Sequence, residues 1–127
     1  MREFDLLQSY PNLITRYVNN KSRTIKNRVI ASYKDKDFYD GHRNNGFGGY
    51  KYDGRWKSIA ERIFKLYKLK KNAKILQIGC DKGFLLYEIE KLYPRAKVFG
   101  IESSKYAISK SQKIIKKKIK HSNFINI

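Results

Sequence analysis

The feature that most constrains this chain is a strand that runs into a glycine turn and re-emerges as a helix. Ala73-Lys74-Ile75-Leu76-Gln77-Ile78 is a short apolar run, and Gly79-Cys80-Asp81-Lys82-Gly83 is the turn that follows it. Leu85, Leu86, Ile89, Leu92 and Tyr93 then recur at helical spacing until Pro94 ends the helix. Lys97-Val98-Phe99-Gly100-Ile101 reads as a second strand ending at Glu102. Ser103-Ser104 can cap a third helix, with Ala107, Ile108, Ser111, Ile115 and Ile119 inward and Lys110, Lys113, Lys116, Lys117 and Lys120 outward. Asn123-Phe124-Ile125-Asn126-Ile127 is expected to be a third strand. Strand, helix, strand, helix, strand predicts an α/β fold: a Rossmann-like doubly wound parallel sheet of which only the first β-α-β-α-β half is present. Right-handed crossovers bring the C-terminal ends of the strands to one edge, where ligands of such sheets bind. The turn after Ile78 and the strand end at Glu102 are therefore the places to look for chemistry.

Upstream, the first third to Tyr39 reads as short polar helices. Pro11 interrupts the first, and Ser22 is the expected N-cap of a second in which Ile25, Val29, Ile30 and Tyr33 recur at helical spacing. Between Asp35 and Trp56 the glycines Gly41, Gly46, Gly48, Gly49 and Gly54 punctuate a loop crowded with Phe38, Tyr39, Phe47, Tyr50, Tyr52 and Trp56. A further helical stripe, Ile59, Ile63, Leu66 and Tyr67, leads to the first strand. The expected organisation is a helical, Gly/aromatic-rich N-terminal extension over 1–55 and a half Rossmann-like domain over 56–127.

Composition excludes several function classes. One cysteine, Cys80, and two histidines, His42 and His121, leave no disulfide framework and no metal-ligand spacing. There is no apolar run long enough to span a membrane and no signal-peptide h-region at the N-terminus, so no membrane partner is expected and the reducing cytoplasm is the default compartment. The net charge of +18, from 29 Lys+Arg against 11 Asp+Glu, invites nucleic acid as a partner. The excess is mostly lysine spread along the whole chain, which favours ordinary solvated faces instead.

The turn itself narrows the ligand. Gly79 permits the tight turn, Gly83 keeps a Cβ out of the way, and the helix N-terminus behind them carries a partial positive charge. Glu102 follows Gly83 by 19 residues, close to the ~20-residue interval between such a loop and a ribose-binding acid. A dinucleotide fingerprint would need glycine at Asp81 and Gly or Ala at Phe84, and a P-loop would need Gly-Lys-Ser/Thr, so both fail. An acid at Asp81 opposes a pyrophosphate but suits a nucleoside with a cationic amino-acid tail, such as S-adenosyl-L-methionine.

Ile75 through Leu86 resembles motif I of class I S-adenosylmethionine-dependent methyltransferases, and Val98 through Ile108 is similar to the motif that follows it. Asp37-Phe38-Tyr39-Asp40-Gly41 through Gly48-Gly49-Tyr50-Lys51-Tyr52-Asp53-Gly54-Arg55-Trp56 resembles the region before motif I in one bacterial subgroup. The resemblance implies a methyltransferase with S-adenosylmethionine as cofactor and a small-molecule or other acceptor. It implies Gly79, Cys80 and Gly83 as the loop under the methionine part, with Gln77 and Asp81 beside it. Glu102 is implied on the ribose hydroxyls, Ser103 beside the adenine, and Tyr50, Tyr52 or Arg55 closing over the cofactor. The family usually carries an acid at Gln77 and often glycine at Asp81, so the charge around the cofactor is expected to differ here. It also has seven strands where this sequence supplies three. The chain is therefore read as a truncated N-terminal portion, incomplete as an enzyme unless a partner chain completes the sheet. The alternative is a non-catalytic basic remnant that binds nucleic acid or a protein partner.

Overall fold

The computed structural model describes residues 3–11 and 23–123. Helices α1 (Ile25–Ser32), α2 (Lys36–Asp40) and α3 (Lys57–Leu66) precede β1 (Lys74–Ile78). Then come α4 (Phe84–Leu92), β2 (Lys97–Glu102), α5 (Lys105–Ser109), α6 (Lys113–Lys116) and β3 (Ile119–His121). The three strands form one parallel sheet in the order β1-β2-β3, with Ile75 opposite Val98 and Gly100 opposite Ile119. The architecture is thus α/β, an open parallel sheet compatible with a partial Rossmann-like fold.

One side of the sheet holds the core. The period-2 alternation of β2 turns Val98, Gly100 and Glu102 inward, where they are buried. Ala60 and Phe64 of α3, Leu86 and Ile89 of α4, Ile115 of α6 and Ile119 of β3 close over that face together with Cys80 and Ala96. Phe64 and Tyr93 stack with ring centroids 3.6 Å apart. Gly100 is the tightest point of this packing. A Cβ there would lie 2.6 Å from Cys80 Sγ and 2.9 Å from Leu86 Cδ1, so only glycine lets the turn and α4 approach β2 this closely. The opposite side is open: Leu76 and Ile78 are each 54% exposed and Phe99 is 49% exposed. Parallel sheets ordinarily bury both faces.

Four local expectations change. Helix α1 starts after Thr24, whose hydroxyl accepts from the Asn27 amide while the Asn27 side chain accepts from the Thr24 amide; Ser22 lies outside the described residues. The stretch from Asp35 to Trp56 is not all loop, since Asp35 caps α2 and a 3-10 turn spans Arg43–Asn45. Tyr67 is 52% exposed at the end of α3, and the buried positions of that helix are Ile59, Ala60 and Phe64. The long third helix divides into α5 and α6, and its last turn becomes β3. Lysines stacked at i,i+3 and i,i+4 disfavour one continuous helix, and Ile119 must lie extended to pair with Gly100. The inward positions Ala107, Ile115 and Ile119 are nonetheless buried. The strand expected at 123–127 lies, apart from Asn123, outside the described residues.

Gly100→Ala should cost roughly 1–3 kcal/mol by overpacking and lower the thermal midpoint, with partial recovery in the Cys80→Ala background. An unchanged melting temperature for Gly100→Ala would contradict this account of the β1–α4 turn.

Candidate functional site

The site forms where β1 and β2 end. Gly79 turns the chain with φ of 68°, and its amide donates to the Ile101 carbonyl at 2.8 Å. Asp81 has φ of 50°, left-handed backbone that costs a residue with a Cβ more than it costs glycine, though Asp tolerates it better than most. Gly83 takes φ of 72° as the N-cap of α4. The space a Cβ would occupy at Gly83 is filled by Ile115 and Ile119, 2.9 and 3.0 Å away, so this glycine makes room for the protein's own packing.

Glu102 ties the two strand ends together. It is 1% exposed, and its Oε2 accepts from the Asp81 amide at 2.7 Å while Oε1 accepts from the Ser104 amide at 2.8 Å. The Ser103 hydroxyl donates to the same carboxylate at 3.3 Å, and the Ser103 carbonyl meets His121 Nε2 at 3.0 Å. Ser104 in turn caps α5 through the Ala107 amide and donates its hydroxyl to the Lys34 carbonyl. The Gly79, Cys80, Asp81 and Gly83 amides all donate within the protein, to Ile101, Glu102 and the Cys80 carbonyl. They are not arrayed as a cradle for phosphate.

The remaining expected residues are placed as follows. Cys80 is buried in the core beside Gly100, and burial, with Glu102 and Asp81 adding to it, pushes its thiol up to about 12. Gln77 is paired on β1 opposite Gly100, and its Oε1 is buried without a hydrogen-bond partner among the described residues. Tyr52 lies against α4: its hydroxyl donates to Glu88, Lys91 donates to it at 3.2 Å, and its ring meets Phe84 edge-on at 5.7 Å. Arg55 is engaged by Asp53, 2.7 Å from Nε, and by the Tyr10 hydroxyl at 3.0 Å. The structure therefore gathers Gly79, Asp81, Gly83, Glu102 and Ser103 at one edge, while Arg55 points into the contact with residues 3–11.

Tyr39 and Asp40 of the extension complete the edge, two residues to which sequence reasoning gave no role, together with Lys82 of the turn and Tyr50, which was expected over the cofactor. The Lys82 side chain is 5% exposed and gives all three ammonium protons to Asp40 Oδ1 and Oδ2, at 2.8 and 2.6 Å, and the Tyr50 carbonyl at 2.7 Å. The rings of Tyr39, Tyr50 and Tyr106 surround it at 5.8–5.9 Å. Asp40 also accepts from the Tyr106 hydroxyl at 2.7 Å and the Tyr50 amide at 3.0 Å. Burial alone would raise the Asp40 carboxyl, but Lys82, Tyr106 and the Tyr50 amide outweigh it and hold it below its ordinary value. Tyr39, fully buried, donates its hydroxyl to Asp81 Oδ1 at 2.6 Å. Burial raises the Asp81 carboxyl, the Tyr39 hydrogen bond opposes this, and the neighbouring Glu102 adds to it. Among the described residues neither Asp81 nor Glu102 forms an ion pair. The signals in the sequence were the crowd of rings between Asp35 and Trp56 and the resemblance of that stretch to the region before motif I; no spacing rule links Asp40 to a lysine 42 positions away.

No group of side chains among the described residues could hold a metal ion, and no helix there is long and apolar enough to cross a membrane. Residues 69–127 match the family model of a methyltransferase domain, a span that takes in all three strands and α4 to α6. No curated protein and no solved structure matches the chain. The match is to a methyltransferase domain and covers somewhat less than half of the chain.

Cys80 should resist alkylation by iodoacetamide at pH 8 in the folded protein and react fully once denatured, because the thiolate is the reactive form. Rapid labelling of the native protein would contradict its burial.

Proposed function

We propose that this methyltransferase domain binds S-adenosylmethionine at the C-terminal ends of β1 and β2 and transfers its methyl group to a nucleophile on an acceptor. The observation that carries the reading is the pair of secluded carboxylates, Asp81 and Glu102, at the edge of a parallel sheet with no ion-pair partner among the described residues. Two such groups favour a ligand with positive charge, and the Gly79, Cys80, Asp81 and Gly83 amides are already committed, which takes four donors of the turn away from a phosphate. A nucleoside with sulfonium and ammonium groups meets both conditions. When bound, the sulfonium supplies the electrophilic methyl group.

In this reading Gly79, Cys80 and Gly83 shape the floor beneath the methionine part, and Asp81 faces its cationic end. Glu102 uses its remaining lone pairs for the ribose hydroxyls, with Ser103 beside the adenine. Gln77, neutral where the resembled family carries an acid, leaves Asp81 as the acidic group of the turn. Tyr50 and Tyr52 line the first turn of α4 through their contacts with Phe84, and Arg55 braces the extension through Asp53 and Tyr10. The extension over 1–55 and the sheet from 56 onward work together at this edge. The protein's part in catalysis is chiefly to hold the methyl donor in line with the acceptor.

Isothermal titration with S-adenosylhomocysteine and S-adenosylmethionine tests the reading, and binding to the folded chain is expected. Glu102→Ala should abolish measurable binding and also lower the thermal midpoint, since it strands two buried amides at roughly 1–3 kcal/mol each. A folded wild-type protein that binds neither ligand would refute the cofactor assignment.

A further inference from the structure

We propose that Tyr39 is a positioning residue for the cofactor site, supplied by the extension, whose hydroxyl holds the Asp81 carboxylate aimed and charged for the ligand's cationic group. The inference rests on the cofactor reading above.

Tyr39 is fully buried on α2, where its ring packs against Phe38, Phe47, Tyr50 and Tyr106. A phenol locked in that cluster presents its hydroxyl from a fixed point, and the hydroxyl meets Asp81 Oδ1 at 2.6 Å. Burial, the Asp81 hydrogen bond and the charges of Asp81 and Glu102 all push the phenol far above its ordinary value, so it remains a donor throughout the working range of pH. With Oδ1 engaged, the second carboxylate oxygen is directed by the same bond. The cation nearest in sequence, Lys82, is already committed to Asp40 and the Tyr50 carbonyl. Lys82 is thus a latch for the extension and not a counter-charge for Asp81. The groups around Asp81 are Tyr39 from α2, Tyr50 from the loop behind it, Glu102 at the end of β2, Cys80 beside it in the turn, and Lys34 before α2, which opposes the rise from some distance. Of these, Tyr39 makes the hydrogen bond that favours the ionised form.

The sign of the pH effect follows. A cationic ligand binds the ionised carboxylate, so affinity falls as pH falls through the value Asp81 has without ligand. Removing the Tyr39 hydroxyl raises that value, so the loss must begin at higher pH. Tyr39→Phe keeps the ring and its packing, which separates this effect from a structural one.

The experiment is titration calorimetry with S-adenosylmethionine from pH 5 to 7, where the ligand's amino group, near 8 in ordinary surroundings, stays protonated. Wild type, Tyr39→Phe and Asp81→Asn are compared, with circular dichroism confirming that each is folded. Expected is about tenfold weaker binding by Tyr39→Phe at pH 6, the scale of one hydrogen bond to a charged group, with its pH profile displaced upward. Asp81→Asn should bind weakly and lack the acid-dependent component. A Tyr39→Phe profile superimposed on wild type, or wild-type affinity in Asp81→Asn, would overturn the proposal while leaving the cofactor reading in place. Should Tyr39→Phe fail to fold, 3-fluorotyrosine placed at position 39 keeps the ring and hydroxyl but is a stronger donor, so its profile should be displaced downward, and a profile superimposed on wild type would overturn the proposal. Absence of binding by folded wild type would overturn the cofactor reading and this inference with it.

Discussion

The site depends on the carboxylate of Glu102. A parallel sheet ends in loops whose amides need acceptors, and at this edge one buried side chain serves both loops by accepting from Asp81 and Ser104. That bridge fixes the turn after β1 relative to the start of α5. Asp81 can then stay in left-handed backbone with its side chain turned toward the extension. The sharp turn, the capped helix and the placement of Asp81 follow from one residue at the end of β2. Gly100 supports the same arrangement from below, since its missing Cβ is what allows Cys80 and Leu86 to settle against the strand.

Asp40 makes a second connection, from outside the sheet. Its carboxylate gathers Lys82, Tyr106 and the Tyr50 amide, and so joins α2, the glycine loop, the turn after β1 and α5. A buried ion pair gains little net stability over well-packed apolar side chains, because both charges must be desolvated. What it supplies here is direction: Lys82 has three acceptors in fixed positions, and the extension can dock on the turn in only one register. This is the physical sense in which the boundary expected at 55/56 is not a boundary of the site. The extension carries Tyr39 and Asp40 to the edge that the sheet provides, although the methyltransferase-domain match begins only at residue 69.

The charge takes a different place once the fold is known. The +18 excess suggested nucleic acid, yet the lysine that matters most locally, Lys82, is buried and neutralised by Asp40. Others sit on exposed ground, as Lys74 and Lys97 do beside Leu76, Ile78 and Phe99 on the open face of the sheet. The secluded carboxylates, by contrast, belong to a minority residue type and carry the chemical argument. In the proposed reading, charge bears on the ligand through where it is desolvated rather than through its total.

The sequence by itself determined the strand–turn–helix units, because their signals are local. Ile75 to Ile78 and Val98 to Ile101 are short apolar runs, Pro94 cannot continue a helix, and Gly79 and Gly83 supply left-handed backbone where the chain must turn. It also placed Glu102 correctly at the strand end, since the interval from the glycine turn is set by one helix and one strand. Only the tertiary structure decided the rest. The division of the last helix depends on Ile119 pairing with Gly100, a contact between distant positions that outweighs helical periodicity. Gly83 turned out to be needed for room against Ile115 and Ile119, and Arg55 to be occupied by Asp53 and Tyr10. The contacts of Tyr39 with Asp81 and of Asp40 with Lys82 span 42 positions each. No periodicity encodes such a distance, and it is the folding of the extension onto the sheet edge that brings those side chains together.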